Sequence, residues 1–189
     1  MKRKLVIVGD SNVGKTSLMT VIGEGRYPVQ VIYNGATKTV KVNGYRVLLD
    51  LWDPGADGPA PLAEINAGFR RICYDECAII VVCFSIDDPT SFRNVREYWQ
   101  PEILHFCAAG FTVPILLVGC KSDTRDAQVA QEEYTTNRRE TISTERGRSL
   151  AEEIRATAYL ECSAKAGIGV AEVVLTAARI ASSWNPEAT

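Results

Sequence analysis

Apolar runs bounded by turn residues alternate with stretches of helical periodicity along most of this chain. Arg3–Gly9 (RKLVIVG) reads as a buried strand, and a helix is predicted from about Lys15 to Gly23. Thr37–Val42 and Tyr45–Trp52 flank Asn43-Gly44, a dipeptide that tolerates the positive φ of a two-residue hairpin turn. These two runs are expected to pair antiparallel. Residues 78–86 (AIIVVCFSI) and 113–120 (VPILLVGC) are almost continuously apolar, as expected of strands covered on both faces. Ala158–Cys162 is a short last strand.

Helices are predicted over about Pro89–Cys107, Thr144–Ala156 and Val170–Ser183. The last carries Val170, Val173, Val174, Ala177, Ala178 and Ile180 at spacings of three and four, one face of a helix. Asp88 is placed to cap the helix that Pro89 opens. Strands alternating with helices predict an α/β fold with a mostly parallel sheet, one antiparallel edge hairpin and helices on both faces. With no internal repeat or low-complexity linker, the 189 residues are expected to form one domain, 1–189.

The formal net charge of −2 offers no general attraction to nucleic acid or to an anionic membrane, so neither is expected as a partner. Six cysteines (Cys73, Cys77, Cys83, Cys107, Cys120, Cys162) lie in or beside apolar runs. They lack the paired spacing of a zinc site and read as buried thiols of a reducing compartment. His105 is the only histidine, which argues against Ser/His or Cys/His nucleophilic catalysis. No run reaches the ~18 apolar residues of a membrane span, and a cytoplasmic location is expected.

Gly9-Asp-Ser-Asn12-Val13-Gly14-Lys15-Thr16 matches G-x-x-x-x-G-K-[ST] directly after a strand and at the opening of a helix. Glycines let the backbone wrap phosphates, with amides and the helix N-terminus pointing at them. Lys15 places a cation on the β/γ oxygens, which makes it a candidate for binding and catalysis alike. The Thr16 hydroxyl is a candidate Mg²⁺ ligand. Gly9, Asn12, Val13, Gly14, Lys15, Thr16 and Ser17 are the candidate phosphate-loop contacts.

Two later loops carry a resemblance. Gly119-Cys120-Lys121-Ser122-Asp123 and Ser163-Ala164-Lys165 resemble the guanine-reading loops of the Ras superfamily, in order and at the ends of the matching strands. Leu51-Trp52-Asp53, Cys83–Asp87 (CFSID), Trp99-Gln-Pro101-Glu102, His105-Phe106-Cys107 and Glu161–Lys165 (ECSAK) look like their Rho-family counterparts. The resemblance covers nearly the whole chain and implies a Ras-like P-loop G domain that binds GTP or GDP with Mg²⁺. It implies that Asp123 accepts the guanine N1–H and N2–H, Lys121 lies on the ring, and the Ala164 amide bonds the carbonyl. Ser163 and Lys165 complete that loop. It also implies that Tyr27 packs on the guanine edge, that Asp53 holds the metal, and that a Rho-type insert helix occupies about 127–139. Effectors and regulators would bind at the switch regions of a monomer.

Four departures qualify the resemblance. Cys120 stands where the family has Asn or Thr bracing the loop against the phosphate loop. Switch I, from Tyr27 to Gly35, is short and has Val31 near the position of the metal-binding Thr. Switch II reads Trp52-Asp53-Pro54-Gly55-Ala56-Asp57, so Ala56 replaces a glycine and Asp57 replaces the water-orienting Gln. Asp57 is a candidate catalytic base, yet a carboxylate facing phosphate oxygens is repelled and offers no donor to developing charge. Finally, no cysteine follows Cys162, so this sequence offers no prenylation site. Hydrolysis is expected to be slow or impaired. The alternative is a pseudo-GTPase, an interaction module that holds nucleotide without a productive cycle. A different P-loop enzyme would leave Asp123 and Ala164 unexplained.

Overall fold

Within the uninterrupted apolar run of the first strand, β1 (Lys2–Val8), alternation persists: Leu5 and Ile7 face one layer of helices, Val6 and Val8 the other. Every residue of β4 (Ile79–Ser85) and β5 (Ile115–Cys120) is buried, because both sheet faces are covered at those strands. This computed structural model describes residues 1–28, 36–55, 63–107, 113–125 and 140–185, with main chain alone at 63–67 and 69.

The sheet has six strands in the order β2-β3-β1-β4-β5-β6. β2 (Ala36–Val42) and β3 (Tyr45–Trp52) pair antiparallel across the Asn43-Gly44 turn, and every other neighbouring pair is parallel. β6 (Ala158–Cys162) closes the far edge. The chain leaves β1 toward β3 on one side and β4 on the other, so the topological switch point lies at the carboxyl end of β1.

One face packs on α1 (Lys15–Glu24) through Leu18, Met19 and Ile22, and on the C-terminal helix Val170–Ser183 through Val173, Ala177 and Ala178. The other face packs on α2 (Ala63–Tyr74), α3 (Pro89–Asn94), α4 (Gln100–Cys107) and α5 (Thr144–Glu153). The C-terminal helix is α6. Asp88 caps α3 as expected, its Oδ1 accepting the Thr90 amide at 3.0 Å with Pro89 opening the helix.

Three features differ from the sequence reading. The helix predicted over 89–107 contains a π turn at Val95–Trp99, where the Gln100 amide donates to the Val95 carbonyl five residues back. No helix was predicted between Trp52 and Ala78, yet α2 lies there; Gly68 in its middle interrupts the propensity signal. Arg70 and Arg71 are adjacent charges that the sequence alone reads as solvated, yet Arg70 is fully buried in an ion pair with Glu102 and only Arg71 is exposed. Trp99, which by residue type reads as packed on the domain and not as a ligand platform, is fully buried in its body. All six cysteines are free, and all but Cys107 are buried. The proposed insert helix at 127–139 and switch residues Val31, Ala56 and Asp57 lie outside the described residues.

Candidate functional site

The loop after β1 turns beneath β4 at Gly9, whose φ is +141° and whose absent side chain is essential. A Cβ there would sit 2.1 Å from the Cys83 carbonyl oxygen. Gly14, at φ +108°, precedes α1, and no side chain caps that helix among the described residues. The first amides of a helix have no intrahelical partner, and the dipole at that end favours an anion.

Lys15 is only 3% exposed, and its Nζ donates to the Asp10 carbonyl at 2.6 Å. Burial holds its ammonium below the ordinary lysine range, with Asp53 the largest opposing influence. Thr16 Oγ1 donates to Asp53 Oδ2 at 2.8 Å, while Asp53 Oδ1 accepts the Gly55 amide at 3.2 Å. β3 thus delivers a buried carboxylate to the phosphate loop, leaving two hard oxygen donors beside a buried cation.

A cavity of about 460 Å³ opens above these groups. Asn12, Gly14, Lys15, Thr16, Ser17 and Tyr27 line one half, and Lys121, Asp123, Ser163, Ala164 and Lys165 line the other. Gly9 and Val13 do not line it: Gly9 is buried below, and the Val13 side chain belongs to the core, 1% exposed. Asp53 reaches the site through Thr16. Asp57 lies outside the described residues.

The second half is assembled by the pairing of β5 with β6, which sets Cys120 opposite Cys162. The Ser122 amide then donates to the Cys162 carbonyl at 3.1 Å, joining the two loops. Lys121 takes a positive φ of 61°, and Thr124 Oγ1 closes the turn on the Lys121 carbonyl at 2.7 Å. The Lys121 ammonium lies 3.6 Å from Asp87. Ser163 is wholly buried, its hydroxyl accepting the Ala166 amide at 2.9 Å, so it shapes its own loop. The side chain of Asp123, a half-buried residue on the cavity wall, makes no hydrogen bond or ion pair with any described residue.

Cys120 occupies the bracing position beneath the phosphate loop, and a Cβ built on Gly14 would meet its Cβ at 3.6 Å. Contact with Cys162 draws its thiol down, but contact with Cys83 and complete burial outweigh this and hold it well above a free thiol's range. A neutral thiol therefore fills the space, by packing more than by hydrogen bonding.

Sequence reasoning missed Leu18, Thr124 and Cys162 in the cavity wall. Thr124 was legible as a turn-closing hydroxyl right after Asp123. It also missed the residues that hold Asp10. Trp99 Nε1 donates to Asp10 Oδ1 at 2.7 Å and Asn94 Nδ2 to Asp10 Oδ2 at 2.6 Å.

The sequence profile of the Ras family matches residues 4–183. The chain is 42% identical over 182 residues to the GTP-binding protein RHO1 of Candida albicans, covering 95% of this chain and 87% of that one. It is 41% identical over 182 residues to the GTP-binding protein RHO1 of Saccharomyces cerevisiae, covering 95% and 83%. The GTP-binding protein rho5 of Schizosaccharomyces pombe matches at 41% identity over 182 residues, covering 95% and 86%.

Proposed function

The chain belongs to the Ras family as a Rho-type small GTPase, and from that premise we propose that it binds GTP and GDP with Mg²⁺ and hydrolyses GTP slowly. One observation carries the binding reading. A buried Lys15 and Thr16, the latter bonded to Asp53, stand on one wall of the cavity, and Asp123, whose carboxylate has no partner among the described residues, stands on the other.

The first amides of α1 and the Lys15 ammonium receive the β- and γ-phosphates. Lys15 now donates to a backbone carbonyl, a neutral acceptor that a phosphate oxygen outcompetes by charge. Thr16 and Asp53 supply oxygen donors suited to a magnesium ion, which keeps several waters and takes further ligands from phosphate. The ion supplies charge neutralisation on the phosphates when bound. Asp123 accepts two ring N–H groups that guanine presents and adenine lacks, and an adenine would leave this half-buried carboxylate unpaired. Tyr27, 47% exposed at the mouth, covers the base edge.

Slow hydrolysis rests on residue type at switch II. Asp57 stands in place of the water-orienting glutamine, and losing such a preorganised contact costs a factor of about 10²–10³ in rate. The chain is one G domain, monomeric and cytoplasmic, with effectors and regulators docking at its switch segments. No described helix is long and apolar enough to cross a membrane.

The test is to extract and identify any nucleotide carried by the purified protein, then load GTP with Mg²⁺ and follow GDP formation in a single turnover. Guanine nucleotide retained in a magnesium-dependent way, with turnover over hours, is the expected result. Failure to bind GDP or GTP overturns the binding reading. Turnover at the rate of an ordinary small GTPase overturns the slow-hydrolysis reading.

A further inference from the structure

The phosphate loop is tied to α2 by a buried chain of side chains that runs through one indole. Asp10, the second residue of the loop, has both carboxylate oxygens engaged by the same helical segment: Asn94 at its start and Trp99 five residues on. Residues five apart on an α-helix point about 140° away from each other. A π turn closes five-residue steps and brings such residues onto one side, and the π turn here spans Val95–Trp99. The irregular turn therefore aligns two donors on one acidic side chain.

The other face of Trp99 meets α2. The Arg70 guanidinium carbon lies 5.2 Å from the centre of the Trp99 ring, and Arg70 Nη1 has no hydrogen-bond partner among the described residues. Arg70 is held in place by Glu102, which accepts from its Nε at 2.7 Å and its Nη2 at 2.6 Å. Tyr74, also on α2, donates to Glu102 at 2.7 Å. Trp99 and Arg70 are both 0% exposed, so neither group exchanges its partner for water at low cost.

We propose that Trp99 is a positioning residue that couples the placement of α2 to the grip of the phosphate loop. It holds Asp10 through its N–H, and the Asp10 carbonyl in turn receives Lys15. A shift of α2 that withdraws Arg70 frees the indole, and with it the loop. This rests on the nucleotide-binding reading above.

The test uses the full chain loaded with a fluorescent GDP analogue and chased with excess GDP. Trp99→Phe removes the N–H donor and leaves one aromatic ring of the indole's two. It is expected to speed release about ten-fold, the effect of one hydrogen bond to a charged group. Asp10→Ala should do the same if Trp99→Phe fails to fold. Asp10→Asn keeps the oxygen that accepts from the indole, and its new amide donates to Asn94 once that side chain turns its oxygen inward, so release should stay within about two-fold, an effect a purely structural aspartate would not spare.

Arg70→Lys keeps the charge for Glu102 but loses the planar guanidinium. It should speed release in the parent and add nothing in the Trp99→Phe background. Release unchanged by Trp99→Phe and Asp10→Ala, or Arg70→Lys effects that multiply with Trp99→Phe, overturns the proposal. Hydrogen exchange of the 10–16 amides gives a readout independent of nucleotide. A chain that holds no GDP analogue, while exchange there still responds to Arg70→Lys, defeats the binding reading and spares the coupling. Exchange indifferent to Arg70→Lys defeats the coupling, whether or not nucleotide binds.

Discussion

The two halves of the cavity are built in different ways. The phosphate half comes from contiguous residues, 9 to 17, whose backbone geometry does most of the shaping, and its charged groups already have internal partners. The base half is made of two loops about forty residues apart in sequence, brought together by the β5–β6 pairing, and its principal acceptor, Asp123, has no described partner. A preorganised backbone cradle gives affinity for any polyphosphate; an unpartnered carboxylate gives choice among bases. Affinity and selectivity therefore reside in separate pieces of chain and should be separable by mutation.

The largest effect expected of that separation is on selectivity. Asp123→Ala removes the only acceptor proposed for the guanine N–H pair. It should cut discrimination of GDP against ADP by about 10⁴-fold, since sites built on such pairs reject unmatched analogues by about 10⁴–10⁵. Competition binding with both nucleotides measures it. Discrimination that survives would place base recognition elsewhere on the wall.

Next comes affinity. Lys15→Ala should weaken GDP and ADP alike by about 10²-fold, the scale of a charge-assisted contact made in a buried site. Titration of both nucleotides checks that the ratio between them stays constant. A changed ratio would break the division into two halves.

The smallest effect concerns how the base half is held. Arg125 grips Glu161 through two bonds, at 2.7 Å and 3.1 Å, and Tyr159 donates to the same carboxylate at 2.7 Å. Burial pushes the Glu161 carboxyl up, but its bonds to Arg125 and Tyr159 prevail and hold it below the ordinary glutamate value. A carboxyl lowered on folding stabilises the fold above its unfolded pKa, and that contribution fades as pH falls through the folded value. Denaturant unfolding of the parent and of Glu161→Gln, from neutral pH to about pH 3, should show the parent's advantage shrinking toward zero. Parallel losses in both proteins would remove this pair from the account.

Legibility followed the same line. The phosphate loop, the Asn43-Gly44 hairpin and the C-terminal helix were readable because each is set by neighbours in sequence: a glycine geometry, a turn dipeptide, a periodic stripe. The buried thiols were readable from their apolar surroundings. Arg70 was not, because a charged residue on a surface helix is solvated by default and its partner lies 32 residues away. Trp99 was readable as a packed aromatic, but nothing local joins its indole N–H to a residue 89 positions earlier. The π turn left only an indirect trace: Pro101, two residues beyond it, has no N–H for the Glu97 carbonyl and so interrupts the regular helix ladder.

By itself the sequence determined the six strands and the described helices other than α2, that the sheet is covered on both faces, and that a phosphate cradle opens the first helix. Each of these depends on periodicity or on backbone freedom within a few residues. Tertiary structure alone decided which charges are buried, where Asp53 meets Thr16, and how Asp10 is tethered to Trp99. Those depend on strands and helices closing around pairs of groups distant in the chain, where burial turns a weak surface contact into one that a fold cannot leave unmade.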